Sequence, residues 1–196
     1  MNSHVSIDVV YFIWQFLFIL FEALRKMLSN YPYLKKFIQM EKITMHEMRR
    51  KDRQLSTETA EQILKNGEYG ILSTVGTDGI PYGVPISYAY ADNCLYFHCA
   101  KDVGLKVANM KYQNKVCFTV VGNTELLPEQ FSTKYKSAIA FGTVREADDK
   151  HIGLTLLQEK YSPEYVQAGK ELIAASFEQV AVYEMVIEEL TGKGRR

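Results

Sequence analysis

Beyond Gly70 the chain consists mostly of short apolar-patterned runs separated by turn residues, and that pattern leaves few folds open. Gly70–Val75 reads as a strand, and Thr77-Asp78-Gly79 as a turn with the glycine that a positive φ requires. Pro81–Ala91 reads as a longer strand, which Asp92-Asn93 turns into Cys94–Ala100, so these strands form a meander. Val116–Gly122, Ser137–Glu146 and Val180–Glu189 are further strands, with a long loop from Gly122 to Thr133. Helical patterns fall between them at Gly104–Tyr112, Lys150–Tyr161 and Tyr165–Phe177. Ahead of the first strand, Ser56 is an N-cap for a helix over Thr57–Asn66. Glu58 and Glu61 lie in its first turns, Gly67 lies past its end, and Ile63 and Leu64 face inward. Short strands and helices in a domain of about 150 residues predict an α+β fold on a closed or partly closed β-barrel. Closure fits because no strand is polar on both faces, as an exposed edge often is.

The first 44 residues have a different texture, so the chain divides into an extension, 1–44, and a domain, 45–196. The extension gathers Tyr11, Phe12, Trp14, Phe16, Phe18 and Phe21 into a hydrophobic, helix-like appendage. Its apolar run is bounded by Asp8 and Glu22, too close together for the ~20 residues of a spanning helix. No Lys or Arg precedes the run and no small-residue cleavage site follows it, which disfavours a signal peptide. It reads as a membrane anchor over residues 5–28, a partner-binding helix, or an over-long start ahead of Met45 or Met48. The last is preferred, because the texture of a domain begins just there. Lys+Arg and Asp+Glu are equal at 23 each, so there is no global basic field for nucleic acid. Three cysteines without a CxxC point to a reducing, cytoplasmic compartment rather than a disulfide scaffold.

Several residues qualify for chemistry. In Pro81–Ala91, period two puts Tyr82, Val84, Ile86, Tyr88 and Tyr90 on one face and Gly83, Pro85, Ser87 and Ala89 on the other. The small face either packs under another layer or lets a planar ring approach the backbone, and Pro85 interrupts the ladder. The segment from His98, Cys99 and Ala100 through Gly104 to Lys106 runs from a strand into a helix start, where amides favour an anion. Lys106 is therefore a phosphate candidate or a solvated lysine. His98 and Cys99 are adjacent and point apart, which disfavours a Cys/His nucleophile pair, and Cys94 and Cys99 cannot share a metal. Tyr135 and Ser137 share a strand face, as ring and phosphate contacts or as a half-buried surface. Arg49, Arg50, Lys51 and Arg53 form a solvated arm or an anion contact. No H-E-x-x-H, G-x-S-x-G or Walker loop occurs, no metal site is expected, and no residue stands out as a general acid or base.

From Met48 onward these residues resemble the pyridoxamine 5'-phosphate oxidase-like flavin proteins, and within them most the nitroimidazole-resistance (Nim) branch. The blocks that carry the likeness are Met48-Arg49-Arg50-Lys51, Asp78 through Tyr88, Tyr96 through Ala100, Gly104-Leu105-Lys106, Lys134 through Gly142, and Leu190-Thr191-Gly192-Lys193. The resemblance implies a split β-barrel homodimer with FMN at its interface. It places Val84, Pro85, Ile86 and Ser87 along the isoalloxazine, His98, Cys99 and Ala100 at the cofactor's border, and Gly104 and Lys106 at the phosphate. Tyr135 and Ser137 match a contributing strand. Leu105 departs from the polar residue usual before that lysine, which removes a donor worth about 1.5–3 kcal/mol. Ala108 stands where Asp is frequent. The implied activity is reduction of a small electron-poor substrate, a class that includes nitro-aromatic compounds. The rivals are a non-catalytic flavin or haem module, with His98 as haem ligand, and pyridoxamine phosphate oxidase proper.

Overall fold

Helix formation begins where a hydroxyl meets an orphan amide. The structure, a computed structural model, describes residues 47–195, and the expectations for residues 1–44 lie outside the described residues. After a two-residue strand β1 (Gln54–Leu55), the Ser56 hydroxyl accepts from the Thr59 amide at 3.3 Å and starts α1 (Thr57–Asn66). Ala60, Ile63 and Leu64 form its buried stripe. Gly67 ends the helix with φ −67°, so it is not there for a left-handed turn. A Cβ at Gly67 would lie 2.5 Å from Val120 and 2.7 Å from the Tyr88 hydroxyl, so close approach is what requires glycine.

The remaining elements are β2 (Gly70–Val75), β3 (Pro81–Ile86), β4 (Ala89–Ala91), β5 (Cys94–Ala100), α2 (Leu105–Tyr112), β6 (Lys115–Leu127), β7 (Ser132–Glu146), α3 (Lys150–Tyr161), α4 (Val166–Ser176) and β8 (Val180–Arg195). The strands pair antiparallel in the order β3-β2-β6-β7-β8-β5-β4, and β1 joins β8. The two ends of that order are consecutive in the chain, joined only by Ser87-Tyr88. The sheet therefore curls until its ends meet at a covalent seam that carries no ladder, which is a split barrel. Among the described residues no helix is long and apolar enough to cross a membrane.

The single strand expected over Pro81–Ala91 is thus corrected to two. Alternation holds through Ser87, with Tyr82, Val84 and Ile86 half-buried and Gly83, Pro85 and Ser87 exposed. It fails where Tyr88 and Ala89 are both buried. The Tyr88 amide leaves the ladder and donates to the Tyr161 hydroxyl at 2.9 Å, and that hydroxyl donates to the Glu68 carbonyl at 2.6 Å. The Tyr88 hydroxyl donates to the Leu64 carbonyl at 2.6 Å inside the core. Replacing Tyr161 by Phe is expected to destabilise by about 1–2 kcal/mol, because it orphans the seam amide. Urea titration checks this, and an unchanged midpoint would show that the seam closes without the hydroxyl.

The expected loop from Gly122 to Thr133 is also corrected. β6 and β7 continue as a hairpin over a 3-10 turn at Pro128–Gln130. The register shifts between Gly122 and Glu125, and Lys134 pairs with Glu125 across the strands at 3.0 Å. The extension is mostly exposed, so it has no apolar alternation to read. β8 likewise runs past Glu189, through Gly192, where a Cβ would sit 3.0 Å from Ala60.

Lys160 lies against this core without a hydrogen-bond partner for its Nζ, which is 3.9 Å from the Tyr88 ring centroid. Burial lowers its pKa from 10.5 to about 8. The folded state therefore binds fewer protons than the unfolded chain between those values, and stability rises with pH across that window. Lys160→Met is expected to stabilise the protein at pH 7 by about 1 kcal/mol and to flatten this rise. Melts of both proteins at pH 7 and pH 10 test it; a wild type equally stable at both would contradict the burial of the charged amine.

Candidate functional site

β5 delivers its C-terminal end to a short, fixed loop. The Lys101 amide donates to the Gln179 carbonyl at 3.0 Å, and Lys111 pairs with Asp102 at 2.6 Å. Asp102 is left-handed at φ 56°, and Gly104 caps α2 at φ 95° with open space around it, so conformation alone demands this glycine. The first turn of α2 contains no acidic residue and no side-chain cap, and only the amides from Val107 onward reach the Gly104 carbonyl. The helix is held from behind by buried Asn109, whose amide donates to Thr74 Oγ1 at 3.0 Å; that hydroxyl faces the Tyr82 carbonyl. This anchors the start of α2 relative to β2 and β3.

Lys106 projects from that first turn and makes no ion pair or hydrogen bond among the described residues. Its field reaches the end of β5. Desolvation first, and the Lys106 ammonium second, lower the His98 pKa and favour a neutral imidazole. Burial raises the Cys99 thiol, while Lys106 opposes that rise. Cys99 points inward and is buried, whereas His98 and Ala100 face outward.

Ser87 and His98 also floor a groove of about 610 Å³ between α3 and α4. Leu154, Leu157 and Tyr161 form its α3 wall, and Leu172 and Ile173 its α4 wall. α4 itself buries no residue. It is tied down at its C-terminal end, where Lys150 Nζ donates to the Phe177 carbonyl at 2.8 Å and sits 4.2 Å from the Phe177 ring.

Ser87, His98, Ala100, Gly104 and Lys106 thus gather at one corner of the barrel. Val84 and Ile86 turn their side chains against the core and offer only backbone outward, while Pro85 is exposed. Tyr135 and Ser137 do not join the corner within this chain. His98 opposes Val182 on β8, whereas Ser137 opposes Lys193. That separation is roughly 35 Å of strand at ~3.3 Å per residue. The Ser137 hydroxyl donates to the Lys193 carbonyl at 3.3 Å, and Tyr135 lines a cavity of about 320 Å³ with Lys134, Lys136 and Arg195. From the basic arm, Arg50 and Arg53 border a further cavity with Arg195, and the Arg50 hydrogen bonds hold the Asp52 carboxyl at about 2. Sequence reasoning missed the α3–α4 groove and Tyr161, whose roles depend on contacts with Ser87, Tyr88 and His98 far away in the chain.

Comparison with known proteins agrees with this fold. A protein described as a 5-nitroimidazole antibiotic resistance protein from Bacteroides thetaiotaomicron VPI-5482 superposes with a TM-score of 0.61 at 22% identity, over 72% of this chain and 86% of that one. The flavocytochrome Anf3 from Azotobacter vinelandii gives 0.67 at 19% identity, over 79% and 75%. A FAD-binding protein from Mesorhizobium loti gives 0.54 at 22% identity, over 74% and 98%. None of the curated proteins matches. The family model for pyridoxamine 5'-phosphate oxidase matches residues 56–194, which spans the barrel from the Ser56 cap to the end of β8. With that match over most of its length and the split barrel beneath it, this chain belongs to the pyridoxamine 5'-phosphate oxidase family.

Proposed function

We propose that this chain binds FMN and supports reduction of a small electron-poor substrate, with nitro compounds as first candidates. The observation that carries this is the Lys106 ammonium, unpartnered among the described residues, beside the uncapped N-terminus of α2. A phosphate there would receive the Leu105 and Lys106 amides and a charge-assisted contact. Leu105 is 56% exposed and adds no side-chain donor, so Lys106 carries the charge recognition. Bound flavin would supply the hydride chemistry, and the protein position and electrostatics. Gly83, Pro85 and Ser87 leave backbone open to a flat ring, and His98 offers a neutral donor or acceptor at its edge. The flavin-binding and nitroimidazole-resistance descriptions of the structural neighbours favour the same reading.

The proposal includes a homodimer. Pro85, Ile71, Thr119 and Ile139 form one row on the outer sheet face, with Val121 beside it 57% exposed. Pairing two such faces would bring Tyr135 and Ser137 of one copy toward the corner of the other. The three cysteines are free, which suits a reducing, cytoplasmic compartment.

The test is the visible spectrum of the purified chain before and after adding FMN and desalting. Flavin bands that stay with the protein support the proposal; a colourless protein that retains no FMN overturns it. A second reading is a haem-binding module. It is favoured by the outward His98 imidazole and by neighbours described as a flavocytochrome and a FAD- and haem-binding protein. A haem titration with His98→Ala separates the two: an unchanged spectrum of the complex would remove His98 as a ligand.

A further inference from the structure

We infer that the α3–α4 groove takes an uncharged, largely apolar ring compound bearing one hydrogen-bonding end, and excludes phosphorylated or carboxylated compounds. This deepens the flavin proposal by naming the substrate class at the same corner, and rests on it for the chemistry done there.

The groove's volume of about 610 Å³ falls within the ~300–1,000 Å³ of small-molecule sites. Among the described residues no Lys, Arg, Asp or Glu lines it. The neighbouring lysines point elsewhere. Lys160 sits on the Tyr88 ring, and Lys150 is bound to the Phe177 and Val180 carbonyls. An anion in the groove would lose water and gain no counter-charge, which is strongly unfavourable.

Three of its polar side chains are already engaged. Gln158 donates to the Ser162 carbonyl at 2.7 Å, and Ser176 to the Leu172 carbonyl at 2.8 Å. The Tyr161 hydroxyl serves Tyr88 and Glu68. Ser87 and His98 remain on the floor, and the Ser162 and Tyr165 hydroxyls remain beside the turn between α3 and α4. A carbonyl or nitro oxygen would meet Ser87 and His98 on the floor while the ring lies against Leu154, Leu157 and Ile173. Leu172 is 69% exposed on the outer wall, an apolar side chain that an apolar ligand would cover. Pyridoxamine 5'-phosphate, the namesake substrate of the family, has the wrong charge for this site.

The test is a fluorescence titration of the full chain with Nile red, an uncharged planar dye. Saturable binding is expected, with displacement by menadione and none by pyridoxamine 5'-phosphate at equal concentration. Leu172→Arg and Ala168→Arg each put a charge on the groove wall and are expected to weaken the dye at least tenfold. α4 buries no residue, so both should keep the far-ultraviolet circular dichroism of the parent. Absence of dye binding, indifference to both substitutions, or displacement by the phosphorylated compound would each overturn the inference. So would displacement by haem with a band lost in His98→Ala. The readout needs no flavin, so loss of FMN binding would register separately.

Discussion

Replacing Lys106 by Ala is expected to weaken FMN binding about ten- to a hundredfold. The estimate is the ~1.5–3 kcal/mol of a hydrogen bond to a charged group. The expected loss is large because the start of α2 itself offers no other cationic side chain. The first turn of α2 has no capping side chain, Leu105 is apolar, and Lys111 is committed to Asp102. The α2 amides would remain, so binding should weaken rather than vanish. Quenching of flavin fluorescence measures the affinity. In the same variant the His98 pKa should rise toward its ordinary value, since one of its two depressing influences has gone. Desolvation is the larger influence, so the rise should be incomplete. Proton NMR of the imidazole follows it. An affinity equal to wild type would remove Lys106 from the phosphate role, and an unmoved His98 would remove its field from the corner.

Phe118→Ala should destabilise the domain by about 3–5 kcal/mol. Phe118 is fully buried in the first half of β6, between Leu72 on β2 and Ala140 on β7. Its ring meets Tyr88 edge-on at 4.8 Å. It also fills the space over Gly70, where a Cβ would lie 2.1 Å from the ring. Gly70 and Ala140 are too small to close the cavity that alanine would leave, which puts the cost toward the upper end. Urea unfolding should show a lower midpoint at an unchanged slope. Leu126→Ala, on the exposed part of the same strand, is the control and should shift stability by less than ~0.5 kcal/mol. A small effect of Phe118→Ala would mean that the barrel wall collapses onto the site.

The seam at Ser87-Tyr88 links these two results. Phe118 packs against Tyr88 from within, while Ser87 faces the groove beside His98. Tyr161 clamps the seam from α3. Loosening the core is therefore expected to disturb the floor of the groove before it disturbs the start of α2, which Asn109 holds independently.

Local chemistry made much of this protein legible. Ser56 specified the start of α1 because a hydroxyl satisfies an orphan amide, and the bounds Thr57–Asn66 and Lys150–Tyr161 follow from patterns contained within each helix. The Gly104–Lys106 corner was readable for the same reason, as were the small residues of β3, and the quoted sequence blocks carried the family. What tertiary structure alone decided depends on long-range contact. The break at Ser87-Tyr88 exists because Tyr161 takes a strand amide out of its ladder, and no local pattern encodes a partner so far along the chain. The hairpin beyond Gly122 is held by cross-strand pairing of exposed residues, which leaves no hydrophobic period. The division of the expected cofactor residues between the His98 corner and the Tyr135–Ser137 end follows from the length and register of β8. The uncharged lining of the groove follows from how α3 and α4 pack, because the fold turns Lys150 and Lys160 away from a cavity that neighbouring residues on the same helix enclose.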